Sequence, residues 1–323
     1  MNHQNVLQGG LSSLRRGGAT LIVFIVMGCL LVIAELISPG FLGFSHMNSV
    51  LRQASFLGIV AIGQTLVIIS GGIDLSIAPL ITLANVMSAQ IMDGKDANVV
   101  WAIAIVFCIG LCCGLFNGLG IYYLRISPLV MTLGMGSVVQ GIAYIYSKGA
   151  PKGATAPFMK AVSTGRILGV LSSPLLIWLA LAAVTIIILR YATLGRYIYA
   201  VGSNSVCARY SGVDIRATTV SIYVISSIMA SLIGLLLIGY TGTSYLDTGN
   251  AYTMNSIAAV VIGGTSVAGG LGGYAGTIAG SVIMTIIIGL LAVVRIPISG
   301  REIAQGLIIL LILLAYGREQ KRR

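Results

Sequence analysis

"VIISGGIDLSIAPL", residues 67–80, places an aspartate, Asp74, behind two glycines in the middle of an otherwise apolar tract. An aspartate at the centre of a membrane helix costs about 2.5–3.5 kcal/mol on insertion scales, so such a carboxylate is by default a functional or pairing group. Two plainer roles compete. Asp74 could cap a helix opening at Leu75, since Gly71 and Gly72 break the helix before it, or it could sit in a short turn at the membrane face. The expectation is that capping coexists with function: the break offers backbone groups and a carboxylate to a central cavity, a surface of donors and acceptors rather than charge pairs.

The rest of the chain shows why the tract must be read in a membrane. Its 323 residues are 57% hydrophobic and only 8% charged, with a mean hydropathy of +1.00. Soluble domains carry roughly 25% charged residues, and a surface this poor in charge cannot face water. The formal net charge of +11 does not indicate nucleic acid. The basic residues fall between apolar runs and in the tail Arg318, Lys321, Arg322 and Arg323, without the interleaved aromatics of a nucleic-acid patch. Five cysteines lie mostly inside apolar runs without CxxC spacing, and His3 and His46 form no metal site. They read as packing residues.

Ten apolar segments can be counted, at roughly 19–37, 54–70, 75–92, 98–121, 128–147, 168–189, 217–239, 254–268, 274–294 and 302–316. The first is too long for a signal sequence and leaves through Glu35, Ser38, Pro39 and Gly40 with no small-residue cleavage site, so it reads as an uncleaved span. The second, third and eighth are short and interrupted by glycine, the pattern of broken or re-entrant helices. With an even number of spans and a cytoplasmic amino terminus, the inner connections collect 11 Lys/Arg and the outer ones 8, four of these in the Pro/Gly/Thr-rich loop 148–167. That bias places both termini in the cytoplasm. The fold expected is an all-α integral membrane protein of about ten transmembrane helices, some short or broken, forming a single domain over 1–323.

Glycine placement adds packing information. Gly110, Gly114 and Gly118 form one GxxxGxxxG ladder and Gly272, Gly276 and Gly280 another, each expected to be a smooth buried helix face within one bundle. "GQTLVIISGG" (63–72) and "GGTSVAGGLGG" (263–273) echo each other, as duplicated halves would.

No soluble-enzyme constellation survives inspection. There is no GxxxxGK[ST]; "GAPKGAT" at 149–155 puts its lysine before its second glycine, so the chain lacks a P-loop of its own. No catalytic residues and no metal ligands are assigned, because a nucleophile, acid and base or metal set is missing. Among polar residues in apolar surroundings, most, such as Asn117, Thr132, Gln140 and Asn255, are expected to make interhelical hydrogen bonds. Gln64, Gly71, Gly72, Asp74, Ser76, Asn85, Thr265 and Ser266 are the candidates for a translocation pathway. The stretch "TLGRYIYAVGSNSVCARYSGVDI" (193–215), within a connection of about 190–216, is long, polar and basic. It is expected to form a short helix between two glycine-bearing turns and to dock a partner.

Three stretches carry a family resemblance. "GQTLVIISGGIDLSIAPL", the 193–215 connection and "AAVVIGGTSVAGGLGGYAGTIAG" (258–280) resemble, in order and spacing, segments of the permease subunits of bacterial sugar ABC importers, of the ribose, galactose, arabinose and autoinducer type. The resemblance implies the ABC importer permease fold in a bacterial inner membrane, paired with a second copy or a similar permease. It implies a cytoplasmic ABC ATPase that binds the ATP, and a periplasmic or lipid-anchored binding protein that delivers a monosaccharide or related polyol or furanosyl solute; it implies no cofactor in this chain. The coupling residues it implies are Gly202, Asn204, Ser205, Arg209, Tyr210 and Gly212. Where the family commonly carries Pro-Glu-Ala-Ala-Arg, this chain has Ser205, Val206, Cys207, Ala208 and Arg209, so the family's acidic position falls on Val206. The rival readings are an ion-coupled secondary transporter with Asp74 as its ion site, and an ABC permease for nucleosides or branched-chain amino acids.

Overall fold

The structure, a computed structural model, describes residues 21–167, 171–297, 299–307 and 310. Residues 308–309 and 311–316 of the tenth apolar segment lie outside the described residues, as do His3, Arg15, Arg16 and the basic tail from Arg318. In chain order the helices are α1 (Leu21–Ile37), α2 (Phe44–Ile69), α3 (Ile77–Met92), α4 (Val99–Tyr123), α5 (Pro128–Ser147), α6 (Pro157–Thr164), α7 (Ser173–Tyr191), α8 (Thr193–Ser203), α9 (Ser205–Tyr210), α10 (Ile215–Thr241), α11 (Asn250–Ile262) and α12 (Tyr274–Val293). Residues 299–307 are helical as well. Six helices, α2, α4 (with the short turn before it), α5, α7, α10 and α12, are long and apolar enough to cross a membrane.

Helix starts follow the sequence's own punctuation. Pro128, Pro157 and Pro174 occupy the first turn of α5, α6 and α7, where the missing N–H has no intrahelical partner to lose. Helix α10 ends at Gly242 with φ +81°, and α3 ends at Asp93 with φ 44°, both in the left-handed conformation that turns the chain away.

Helix α2 is the axis of the bundle: 89% of its most apolar stretch is buried, against 22% for α5. Helix α10 packs along α2, α3 and α4, while α12 closes α2 from another side together with α11. The large apolar side chains left exposed, among them Trp101, Phe116, Leu129, Val130, Leu133 and Ile187, lie on α4, α5 and α7, where hydrocarbon rather than water satisfies them. The second apolar segment is not short, as its hydropathy implied. It belongs to a 26-residue helix reaching back to Phe44, because His46, Asn48, Arg52 and Gln53 dilute the hydropathy without breaking the helix.

The α4 ladder behaves as a close-approach face. A Cβ on Gly110, Gly114 or Gly118 would run into Ser231, Val224 and Val220 of α10. The second ladder is only partly helical. Gly276 and Gly280 lie against the backbone of Gly263 and Ala259, but Gly272 precedes α12 in an extended loop with φ +132°, since the helix opens only at Tyr274.

Two helices fall short of a full crossing: α3 with 16 residues and α11 with 13, or about 24 and 20 Å at 1.5 Å per residue, against a hydrocarbon core of about 30 Å. Their starts tie to each other. Ala78 N–H donates to Thr253 Oγ1 at 3.0 Å, and Gly249 N–H donates to Thr82 Oγ1 at 3.1 Å. Amides at helix starts lack intrahelical partners, and inside a membrane no water replaces them, so the two threonines fill that need reciprocally. At the same end of the bundle as the C-terminus of α3, loop 148–167 contains α6. That helix packs on Gly239 of α10 through Ser163 and Met159 and has its Phe158 N–H bound by Asp96 at 2.8 Å. A two-residue antiparallel ladder, β1 (Arg166–Ile167) with β2 (Leu171–Ser172), leads into α7.

Candidate functional site

The break after α2 is built by glycine chemistry. Gly71 has φ +85°; its N–H donates to Ile68 O, and the Gly72 N–H to Val67 O, both at 2.9 Å. This paired pattern ends a helix on a left-handed residue. Gly72 leaves no room for a side chain, because a Cβ would meet the Tyr223 hydroxyl and crowd Pro128.

Asp74 follows, fully buried. Its Oδ1 accepts from Ser76 N–H at 2.9 Å and Ser76 Oγ at 2.6 Å, and its Oδ2 accepts from Ser226 Oγ of α10 at 2.7 Å. Asn117 Nδ2 of α4 donates to Ser76 Oγ at 3.0 Å. Thr132 Oγ1 of α5 accepts from Leu75 N–H at 3.0 Å and lies 3.2 Å from Ile73 O. Three helices therefore hold one irregular segment. Hydrogen bonds to a charged group contribute about 1.5–3 kcal/mol each, which offsets the cost of burying this carboxylate.

Two expectations about Asp74 need correcting. Helix α3 opens at Ile77, with Ser76 in the N-cap position. Asp74 instead closes a local side-chain turn onto Ser76, a competing use of a short acidic side chain. Nor does the carboxylate face a cavity: with both oxygens bonded and no exposed surface, it is a brace.

The other pathway candidates are dispersed. Gly71, Gly72, Asp74 and Ser76 are contiguous in the break, but no hydrogen bond joins Gln64 or Asn85 to them. Gln64 is fully buried on α2, and neither of its amide atoms has a partner. Asn85 donates through Nδ2 to Gly234 O at 3.3 Å. Thr265 and Ser266 belong to the turn after α11, where Thr265 Oγ1 accepts from Gly273 N–H at 3.4 Å and Ser266 N–H donates to Leu271 O at 3.0 Å. Ser226, which completes the Asp74 cluster, was not singled out in the sequence. Its only signal is that Gly63 faces it: a Cβ there would overlap the Ser226 backbone.

The 193–215 connection forms two helices rather than one. Helix α8 ends at Ser203, Asn204 turns the chain in an extended conformation, and α9 follows. The turn is where an asparagine cap is useful: Asn204 Oδ1 accepts from Val206 N–H and Cys207 N–H, both at 3.0 Å. Gly212 leaves α9 with φ +82°. Val206 is 62% and Tyr210 87% exposed, while Ser205 begins α9 and Arg209 Nη2 donates to Tyr122 of α4 at 3.3 Å.

Gly202 occupies a tighter place. A Cβ on it would overlap Ile69 O and lie 2.7 Å from Gly270 N, and Gly270 N–H itself donates to Ile69 O at 2.8 Å. A Cβ on Gly269 would lie 2.8 Å from Gly202 O and 3.0 Å from the Gly71 Cα. Tyr199 of α8 adds a hydrogen bond to Gly272 O at 2.9 Å. The two echoing glycine stretches thus meet backbone to backbone, and the end of α8 seats on both.

A bundle of apolar helices whose centre is occupied by braced chain breaks, with a polar connection seated beneath them, defines a multi-pass membrane permease. Residues 46–316 match the family described as branched-chain amino acid transport system / permease component. The chain is 31% identical over 295 residues to the ribose import permease protein RbsC of Escherichia coli, covering 90% of this chain and 91% of that one. It is 32% identical to the galactose/methyl galactoside import permease protein MglC of Escherichia coli over 86% of each chain, and 33% identical to that organism's inner membrane ABC transporter permease protein YjfF over 77% of this chain and 76% of that one. No solved structure matches the chain significantly. The chain belongs to the branched-chain amino acid transport system / permease component family. It is a multi-pass inner-membrane transport component and not an enzyme.

Proposed function

We propose that the chain is the membrane-spanning subunit of an ATP-driven importer for a monosaccharide or a related polyol or furanosyl solute. The observation that carries this reading is the continuous similarity, over nine tenths of the chain, to a permease named for ribose import, seconded by one named for galactose. The family's printed description names branched-chain amino acids, but it spans a wider group than the individual relatives, so the relatives decide the solute class. In this reading 1–323 is one permease domain of about ten passages, with α3 and α11 as short ones and both termini cytoplasmic. It pairs with a second permease. A cytoplasmic ABC ATPase bears on α8 and α9 through Asn204, Ser205, Arg209 and Tyr210, and a periplasmic or lipid-anchored binding protein presents solute to the outer loops.

The mechanism follows from the seat of α8. Displacement of α8 by the ATPase bears on Ile69 O and on the 269–272 turn at once, because Gly202 leaves no compressible side chain between them. The breaks at 70–76 and 263–273 then reorient, and the pathway wall they form with Gln64, Asn85, Thr265 and Ser266 opens alternately. Asp74 shapes that wall by bracing the break rather than by touching solute.

The test is uptake into proteoliposomes holding the permease with its ABC ATPase, with the binding protein outside and ATP inside. Labelled ribose, galactose and leucine are compared. ATP-dependent accumulation of a sugar is expected; accumulation of leucine alone would reverse the choice of solute.

A further inference from the structure

Between α9 and the corner joining α4 to α5 lies a cavity of about 480 Å³, open to solvent. Arg125 and Arg209 line it, with the hydroxyl-bearing side chains of Tyr122, Ser127, Ser205 and Tyr210, and no acidic residue does. The bond from Arg209 to Tyr122 at 3.3 Å leaves most of a five-donor guanidinium unmatched. Arg125 is held at φ 52°, a left-handed conformation that residues other than glycine seldom adopt. The nearest carboxylate by sequence, Asp214, spends Oδ1 on capping Ala217 N–H at 2.9 Å. A third cation, Arg216, sits 5.2 Å over the Tyr123 ring beside the corner. The groove is thus electropositive on both walls and carries no counter-charge of its own.

We propose that this groove receives an acidic side chain of the ATPase, held between Arg125 and Arg209, so that the α4–α5 corner is a second seat for the motor beside α9. The inference rests on the reading that the ATPase bears on α9. The occupant is an acid because both cations offer forked donors to a planar carboxylate. It belongs to the partner that reaches α9 because one wall of the groove is α9 itself, whose Val206 and Tyr210 stand exposed at the lining. The consequence is a second line of transmission. Six residues before Tyr123, on the same helix, Asn117 holds Ser76, and four residues after Pro128, Thr132 holds the 73–75 backbone. An occupant clamped between α9 and the corner therefore pulls on the Asp74 break directly, independently of the Gly202 seat.

The permease is co-expressed with the ABC ATPase of its own operon and purified through a tag on the permease, and the ATPase recovered per permease is measured at low and high salt. Arg125→Glu is expected to lower recovery at low salt about tenfold or more, while Arg125→Lys retains most of it. Changing the ATPase's acidic surface residues one at a time to arginine is expected to restore recovery with Arg125→Glu at one position. Should Arg125→Glu fail to insert, Arg125→Gln carries the same comparison with a smaller loss. If Arg125→Glu holds the ATPase as the unaltered chain does, or if no acidic position restores it, the second seat is wrong. The same holds if the variant instead loses thermal stabilisation by phosphatidylglycerol with recovery unchanged, which would assign the groove to a lipid headgroup. If the unaltered permease recovers no ATPase at all, the functional reading beneath the inference fails first.

Discussion

Asp74 shows how one carboxylate can organise a membrane protein without meeting its cargo. Each oxygen has a donor, and the donors come from its own turn and from a helix 152 residues away in sequence. Replacing it with asparagine substitutes an amide, itself a donor, for an acceptor facing serine donors. Asp74→Asn is expected to weaken uptake while leaving insertion and association with the ATPase intact, as read by transport and co-purification of one preparation. Ser226→Ala leaves Oδ2 without its donor and is expected to cost about 1–3 kcal/mol, measured as a loss of thermal stability in detergent. The two changes should combine non-additively because they break one contact. Asp74 was conspicuous in the sequence because an acid in an apolar tract demands a reason. Ser226 was not: a serine is ordinary in a membrane helix, and only the fold brings it to Oδ2.

Elements were legible to the degree that their hydropathy matched their geometry. The apolar runs for α4, α5 and α10 correspond to helices within a few residues, and short α3 and α11 were visible as glycine-flanked runs. The amino-terminal half of α2 was hidden because Arg52 and its polar neighbours lower hydropathy on a helix that the bundle still encloses. The bend of the 193–215 connection at Asn204 was hidden because a cap is a conformational event, read only when the amides of Val206 and Cys207 are seen to turn toward the side chain. What no pattern could reveal is the reciprocal tie between α3 and α11. Thr82→Val removes the acceptor for Gly249 N–H and is expected to lower stability by about 1–3 kcal/mol, whereas Thr82→Ser should stay near the original. Equal melting of all three proteins would show that the tie carries no load.

At the scale of the whole molecule, the repeated glycine stretches at 63–72 and 263–273 gain meaning only together. Each ends or follows a helix that stops inside the bundle, and their turns rest on each other with α8 beneath them. Local sequence announced both breaks, but their juxtaposition depends on α2 and α12 closing side by side, a long-range fact that periodicity does not encode. The arrangement makes the chain a passive gate: it holds a polar seat and two hinged segments, and the force comes from a separate nucleotide-hydrolysing subunit. The seat is the place to test this, since Gly202→Val puts a side chain where Ile69 O and Gly270 N now lie without touching the exposed face of α9. The decisive measurement is solute accumulated per ATP hydrolysed in proteoliposomes containing the permease, its ATPase and the binding protein. With Gly202→Val, ATP hydrolysis is expected to continue while uptake per ATP falls about tenfold or more; uptake per ATP equal to that of the unaltered chain, or accumulation driven by an ion gradient with no ATPase present, would contradict the account.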